Sequence, residues 1–421
     1  MPLESKRMPA SPDLRTRRDA HAGGARTAVL YVSPGCFDKG GISRYNRYQI
    51  RALRDLLGAA AVRVFSVRGP AEGDFETPFE VTGTAGGRDP VRGATPAQKA
   101  ALVARIAADA LVRRPRVVLA AHVHLSSLAL ALARAVGAKA VLDVYGLEVW
   151  SGLRRDAAWG LRASDLVVAD CHFTAAYLAQ ARLRPAGAPT EVLWDCVDTE
   201  RFRPGSPRPD VVRRYGLPDP ERHVNVLTLG RIAPEAAHKG YDRLLDAFCR
   251  AAPAAPALRL VYAGKGALVP ELRRLAAARG VADRVVFTGM VHEDDLADVY
   301  RGAHVFSLVS DRGHLRGEGI PLTPLEAAAS GAPILVGDQD GSQEAAVDGV
   351  TGFVLDPFDP AAHCDRLLRL ASDAALRARM GRAARARIVE HHDYRVFRAG
   401  MARVLERLGV RAPAERAAEA V

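Results

Sequence analysis

Short, wholly apolar runs alternate with longer stretches of helical periodicity along most of this chain. The first run, centred on Ala28-Val29-Leu30-Tyr31-Val32 within 26–33, carries no charge in its middle, as in a strand buried on both faces of a parallel sheet. A loop containing Gly40 and Gly41 follows, and then a helical pattern to about Leu57. Further strands are predicted at 61–67, 116–121, 139–145 and 165–169, with helices at 96–112 and 126–135 between them. The alternation restarts at 224–229 and continues at 258–264, 284–289, 304–309 and 333–337. Amphipathic helices are predicted at 360–370, 374–390 and 394–408. Strands and helices in alternation imply open parallel sheets with crossover helices. A length of 421 residues exceeds what one core ordinarily serves, so two domains are expected.

One stretch has a shape that can be read chemically: Gly317-Glu318-Gly319-Ile320-Pro321-Leu322-Thr323-Pro324-Leu325-Glu326, running on to Gly331. The prolines forbid a helix before about Thr323, which would serve as N-cap with Pro324 at the first helical position. Glu326 then falls in the first turn, and Gly331 ends the helix. A glycine loop feeding a helix leaves free backbone N–H groups, a natural anion site. The two carboxylates Glu318 and Glu326 that flank it suit hydroxyl groups, as a sugar or a ribose would supply. Upstream, the strand at 224–229 ends in Gly230 and Arg231, with Lys239 nine residues after the glycine. An arginine fork and a lysine point charge near a strand end form a cation pair for a diphosphate. Gly40 and Gly41, placed after the first strand, let backbone approach a phosphate or sugar closely.

The Glu-x7-Glu spacing in its Gly-Glu-Gly-Ile-Pro-Leu-Thr-Pro-Leu-Glu setting resembles the signature of the family 4 retaining glycosyltransferases over about residues 26 to 408. The resemblance implies the GT-B fold, an α/β architecture of two Rossmann-like domains facing across a cleft, with a C-terminal helix crossing back to the first domain. The expected division is a tail at 1–25, a first, acceptor domain at 26–205, a linker at 206–222, a nucleotide-sugar domain at 223–390, a crossover helix at 391–410 and a tail at 411–421. It gives Arg231, Lys239 and Glu318 catalytic roles. The donor would be held by Gly40, Gly41, Gly230, Gly319, Ile320, Pro321, Leu322 and Glu326, with Glu326 on the ribose. It implies retention of anomeric configuration, with the departing phosphate helping to deprotonate the acceptor. The co-substrate is then a UDP- or GDP-sugar, no other cofactor and no metal are expected, and the acceptor is a sugar, a lipid-linked glycan or a small molecule. Two positions depart from the family pattern: Tyr145 stands where a histidine is usual, and Asp195-Cys196 where Asn-Gly is usual. They keep open a catalytically silent, sugar-nucleotide-binding alternative, as well as a soluble secondary-metabolite acceptor. An isomerase or phosphorylase would need a catalytic set that is not found here. No G-x-G-x-x-G follows a strand with an acid about twenty residues on, which excludes a plain dinucleotide dehydrogenase.

Charge changes the picture of partners. The net charge of +11 is uneven: residues 1–210 carry 30 Lys and Arg against 21 Asp and Glu, and residues 211–421 carry 29 against 27. A basic first half favours an anionic partner, and Arg47, Arg51 and Arg54 share one helical face, either solvated or set against anionic lipid at the periphery of a membrane. Low aromatic content of 6% and dispersed arginines argue against nucleic acid. Five scattered cysteines without metal spacing read as reduced thiols of a cytoplasmic protein, and the basic residues 1–25 lack the apolar core of a signal peptide. His122-x-His124 lacks a third ligand and reads as a hydrogen-bonding pair. Asp338-Gln339-Asp340 imitates the Asp-x-Asp of metal-dependent transferases but follows the signature helix, so it is expected to be a decoy. The polar, Gly-rich stretch 70–93 reads as a mobile surface insertion.

Overall fold

The computed structural model describes residues 27–410 except 39, 72–76, 78, 87–93, 151 and 314–315. The tails expected at 1–25 and 411–421, and much of the insertion expected at 70–93, lie outside the described residues. Among the described residues the strands form two parallel sheets. The first holds β1 (Val29–Ser33), β2 (Val62–Ser66), β3 (Gly83–Thr84), β4 (Val117–Ala120), β5 (Lys139–Val144), β6 (Leu166–Ala169) and β7 (Thr190–Val192), in the order 3-2-1-4-5-6-7. The second holds β8 (Val224–Leu229), β9 (Leu258–Ala263), β10 (Val285–Gly289), β11 (Val305–Leu308), β12 (Ile334–Gly337) and β13 (Gly352–Leu355), in the order 10-9-8-11-12-13. Both are doubly wound Rossmann-like units, so the two-domain GT-B expectation stands.

The apolar runs become central strands because both sheet faces are covered. Val29 and Tyr31 of β1 pack with Tyr45, Ile50 and Leu53 of the helix Gly41–Leu57. Leu30 and Val32, one residue out of phase, pack with Leu102, Ile106 and Leu130 on the other face. A strand with period-two side chains and helices on both sides must be apolar throughout. Three strands were not predicted: Gly-Thr in β3 and Thr-Glu-Val in β7 carry no apolar run, whereas Gly-Phe-Val-Leu in β13 does and was missed.

The crossover helix Tyr394–Arg407 returns to the first domain, where Phe397, Met401, Val404 and Leu405 join the core beside Tyr45. The Tyr45 and Phe397 rings meet edge to face at 5.4 Å. The chain leaves the first domain and returns to it side by side, where the Val197 N–H donates to the His392 carbonyl at 2.8 Å. The stretch 206–222, expected as a linker, contains a helix, Pro209–Tyr215. Arg208 and Arg214 tie it to Asp295 and Asp298 of the second domain, and its Val211 joins that domain's core.

One local expectation needs correction and another gains detail. The signature helix spans Leu322–Ala329 with Pro321, not Thr323, as its N-cap. Pro321 holds an extended conformation that the ring allows, which lets the helix start two residues earlier and puts Thr323 inside the first turn. Gly331 does turn the chain away, with φ of +91°. In the arginine stripe Arg51 is exposed and Arg47 and Arg54 are half-buried, and all three have neighbours within the fold. Arg47 donates to the Cys36 and Asp38 carbonyls, Arg51 lies 4.1 Å over the Tyr394 ring, and Arg54 donates to the Glu80 carbonyl. Helical spacing aligned these side chains, but tertiary neighbours engaged each one.

Candidate active site

A cleft of 670 Å³ opens between the carboxyl ends of the two sheets, where open α/β sheets bind ligands. The glycine loop 317–321 forms one wall. Gly317 adopts φ of +138°, and a Cβ at Gly319 would come within 1.8 Å of Asp170 Oδ2 and 2.4 Å of the Tyr145 carbonyl oxygen. Only glycine lets the second domain's loop touch the first domain this closely. The contact is held by Asp170, whose Oδ2 accepts from the Ile320 N–H at 3.0 Å.

Glu318 lies at the centre of a short network. Its Oε1 meets Lys239 Nζ at 2.7 Å and His238 Nε2 at 2.7 Å. Burial by itself would raise this carboxyl, but Lys239, and after it His238, outweigh the burial and bring it down to about 2. The Glu318 N–H donates to Asp340 Oδ2 at 2.9 Å, so the loop's backbone is fixed as well as its side chain. Lys239 reaches this point because a turn at 234–239 ends in Gly240, with φ of +71°, and folds back on the end of β8. There the missing Cβ of Gly230 leaves room for the Lys239 stem and the Tyr241 hydroxyl. Arg231 lies exposed on the same wall, near Lys265.

Glu326 is 2% exposed and its carboxylate has partners on both oxygens. Oε2 accepts from the Tyr300 hydroxyl at 2.7 Å, and Oε1 is ion-paired with Arg44 of the first domain. Arg44 also meets Glu293 at 3.1 Å, which in turn binds Arg201 at 2.8 Å. Burial raises the Glu326 carboxyl, opposed by Arg44 and Tyr300.

The cleft thus gathers Arg231, Lys239, Glu318, Gly41, Gly230, Gly319, Ile320, Pro321, Leu322 and Glu326. Gly40 caps the helix Gly41–Leu57 and stands outside the lining. Sequence reasoning missed Arg44, His238, Glu293 and Tyr300 as partners of the signature carboxylates. His238 adjoins Lys239 and was within reach of the motif. The others come from distant segments and left no local signal.

Tyr145 turns its hydroxyl inward, donating to Asn46 Oδ1 at 3.0 Å, so the ring is spent on the first domain's core. Asp195 Oδ1 accepts from the Cys196 N–H at 2.8 Å, and Cys196 is buried. His122 and His124 pair with each other, the His124 N–H donating to His122 Nδ1, and burial lowers the His122 imidazole to about 4. In the Asp-x-Asp segment Asp338 is exposed. Asp340 is buried and saturated by Glu318 N–H, Ser342 and Ser310. No helix among the described residues is long and apolar enough to cross a membrane.

Comparison with known proteins agrees with this geometry. A family model for glycosyltransferase family 4 matches residues 39–201, and one for glycosyl transferases group 1 matches residues 216–387. A GDP-mannose-dependent alpha-(1-6)-phosphatidylinositol monomannoside mannosyltransferase of Mycolicibacterium smegmatis is 33% identical over 282 residues, 65% of this chain and 72% of that protein. A D-inositol 3-phosphate glycosyltransferase of Streptomyces avermitilis is 39% identical over 197 residues, 45% of this chain and 40% of that protein. The solved structure of HepE from Anabaena in complex with UDP superposes with a TM-score of 0.72 at 18% identity, covering 90% of this chain and 99% of that one. The paired family matches, the mannosyltransferase relative and the two facing Rossmann-like sheets together show that this chain belongs to the family 4 glycosyltransferases of GT-B fold.

Proposed function

We propose that the protein transfers a sugar from a nucleotide-sugar donor to an acceptor hydroxyl with retention of configuration. The observation that carries this reading is the Lys239–Glu318–His238 network under a glycine loop in a two-domain cleft. Arg231 and Lys239 hold the donor diphosphate, the backbone amides of Gly319 and Leu322 face it, and Gly41 and Gly230 leave room for it. Glu318 lies against the donor sugar and Glu326 takes the ribose hydroxyls. As the bond from the anomeric carbon to the diphosphate oxygen breaks, the new bond to the acceptor oxygen forms on the same face. The acceptor proton passes to the departing phosphate. Fixed cations and helix-end amides stabilise the leaving charge, and preorganised electrostatics of this kind supply most of the rate enhancement in many enzymes. Domain closure around the Asp170–Ile320 contact would exclude water and suppress donor hydrolysis.

The relatives' names support a GDP- or UDP-sugar donor and a polyol, glycan or lipid-linked acceptor, as in cell-surface polysaccharide or glycolipid synthesis. The five unpaired thiols suit a cytoplasmic site of action. A thermal-shift panel of UDP-, GDP- and ADP-sugars tests the reading. A true donor at a hundred times its Kd adds about 2.7 kcal/mol, and no stabilisation by any of them would overturn it.

A further inference from the structure

Two donors end on one oxygen of Glu318: Lys239 Nζ and His238 Nε2 each lie 2.7 Å from Oε1. These neighbours in the chain serve the same carboxylate, yet they are held differently. The His238 carbonyl accepts from the Asp311 N–H at 2.9 Å and from Arg243 Nη2 at 3.1 Å. Arg243 is in turn ion-paired with the buried Asp311 at 2.9 Å. The backbone that carries the imidazole is therefore fixed from behind.

The ring is buried as well, and its Nδ1 has no hydrogen-bond partner among the described residues. A proton on Nε2 meets the carboxylate and leaves Nδ1 a bare acceptor, whereas a proton on Nδ1 would be a buried donor with nothing to bind. Glu318 is thus what the imidazole is oriented for. Lys239 is built the other way: its ammonium is a point charge on a flexible four-carbon stem, in a side chain 17% exposed to the cleft. One donor is fixed and the other can move.

To hold a donor diphosphate, Lys239 must turn its charge from Glu318 toward phosphate. A largely buried carboxylate that loses a partner is costly, so diphosphate binding needs a second donor that stays behind. We propose that His238 is this donor, a positioning residue that keeps Glu318 oriented and compensated while Lys239 engages the diphosphate. It acts through Glu318 rather than by touching the donor. The inference rests on the reading that Arg231 and Lys239 receive the diphosphate.

Calorimetry on the full chain with UDP and GDP tests this, using whichever of the two the wild type binds more tightly. His238→Leu is expected to weaken that binding at least about tenfold, the worth of a hydrogen bond to a charged group. His238→Gln, whose amide N–H takes the place of Nε2–H, should stay within about threefold of wild type. The Glu318→Gln background separates positioning from mere packing, because no carboxylate charge is left there to compensate. In it His238→Leu should change binding by no more than about threefold, since the two residues act as one coupled unit. A tenfold loss in that background would make His238 a purely structural residue and overturn the proposal. Unchanged binding in His238→Leu, with Glu318 intact, would overturn it equally. Should the leucine variant misfold, His238→Asn replaces it: the shorter amide stays polar without reaching Oε1 and should show the same loss. Failure of the wild type to bind either nucleotide would instead strike the donor reading.

Discussion

Arg44 of the first domain is ion-paired with Glu326 of the second, the carboxylate proposed to hold the donor ribose. Because Tyr300 occupies the other oxygen, a ribose can reach Glu326 only by displacing or sharing Arg44. Removing one partner of a buried pair costs about 3 kcal/mol, because the other charge is left without compensation. Arg44→Ala should therefore lower the melting temperature of the empty protein. Ribose hydroxyls would then restore partners to Glu326, so the stabilisation by UDP or GDP should be larger in the variant than in wild type. Thermal shift measures both. A smaller nucleotide shift in the variant would make Arg44 a donor contact rather than a competitor.

Glu326→Ala should weaken nucleotide binding by about 1.5–3 kcal/mol, the range for a hydrogen bond to a charged group. Calorimetry with UDP and GDP reads this directly. An unchanged dissociation constant would remove Glu326 from the ribose.

Lys239→Ala should lower kcat by about a hundredfold or more, the range for losing one preorganised charge-stabilising group. The same change leaves Glu318 with His238 as its remaining partner, so the carboxyl should titrate above its present value of about 2. Steady-state kinetics with the donor found in the panel checks the first effect. Retained turnover would mean that leaving-group charge is met elsewhere.

Activity should persist in chelator. Both oxygens of Asp340 are taken by internal donors and Asp338 is exposed, so the Asp-x-Asp segment has little to offer a metal. Asp340→Ala should nonetheless be damaging, through the Glu318 loop it holds. Turnover that collapses in chelator and returns with magnesium or manganese would reverse this assignment.

The contribution of Asp143 to stability should fall as pH rises from about 4 to 8. Burial pushes the Asp143 carboxyl, which accepts from Gln49, up to about 8. Over that window the unfolded chain releases this proton while the folded chain keeps it, so ionisation favours unfolding. Asp143→Asn should flatten this part of the profile and gain relative stability at pH 8 compared with pH 5. Chemical denaturation at the two values measures it, and parallel losses in both proteins would show that Asp143 does not titrate there.

The local patterns determined a great deal. An uncharged run such as Ala28 to Val32 has no stable place except between two helical layers, so the central strands and the doubly wound class were legible. The glycine and proline spacing around Glu318 likewise dictated a loop feeding a helix, and its resemblance to a family signature supplied the fold. Tertiary structure decided what each side chain does there. Arg47, Arg51 and Arg54 share a helical face by spacing, yet only the packing against Tyr394 and neighbouring carbonyls shows that they are engaged. Likewise Glu326 sits in a readable motif, but its partners Arg44 and Tyr300 arrive from 282 and 26 residues away. Periodicity records which way a residue faces along its own element. Which charge it meets across the cleft depends on how the two domains close, and no local pattern carries that information.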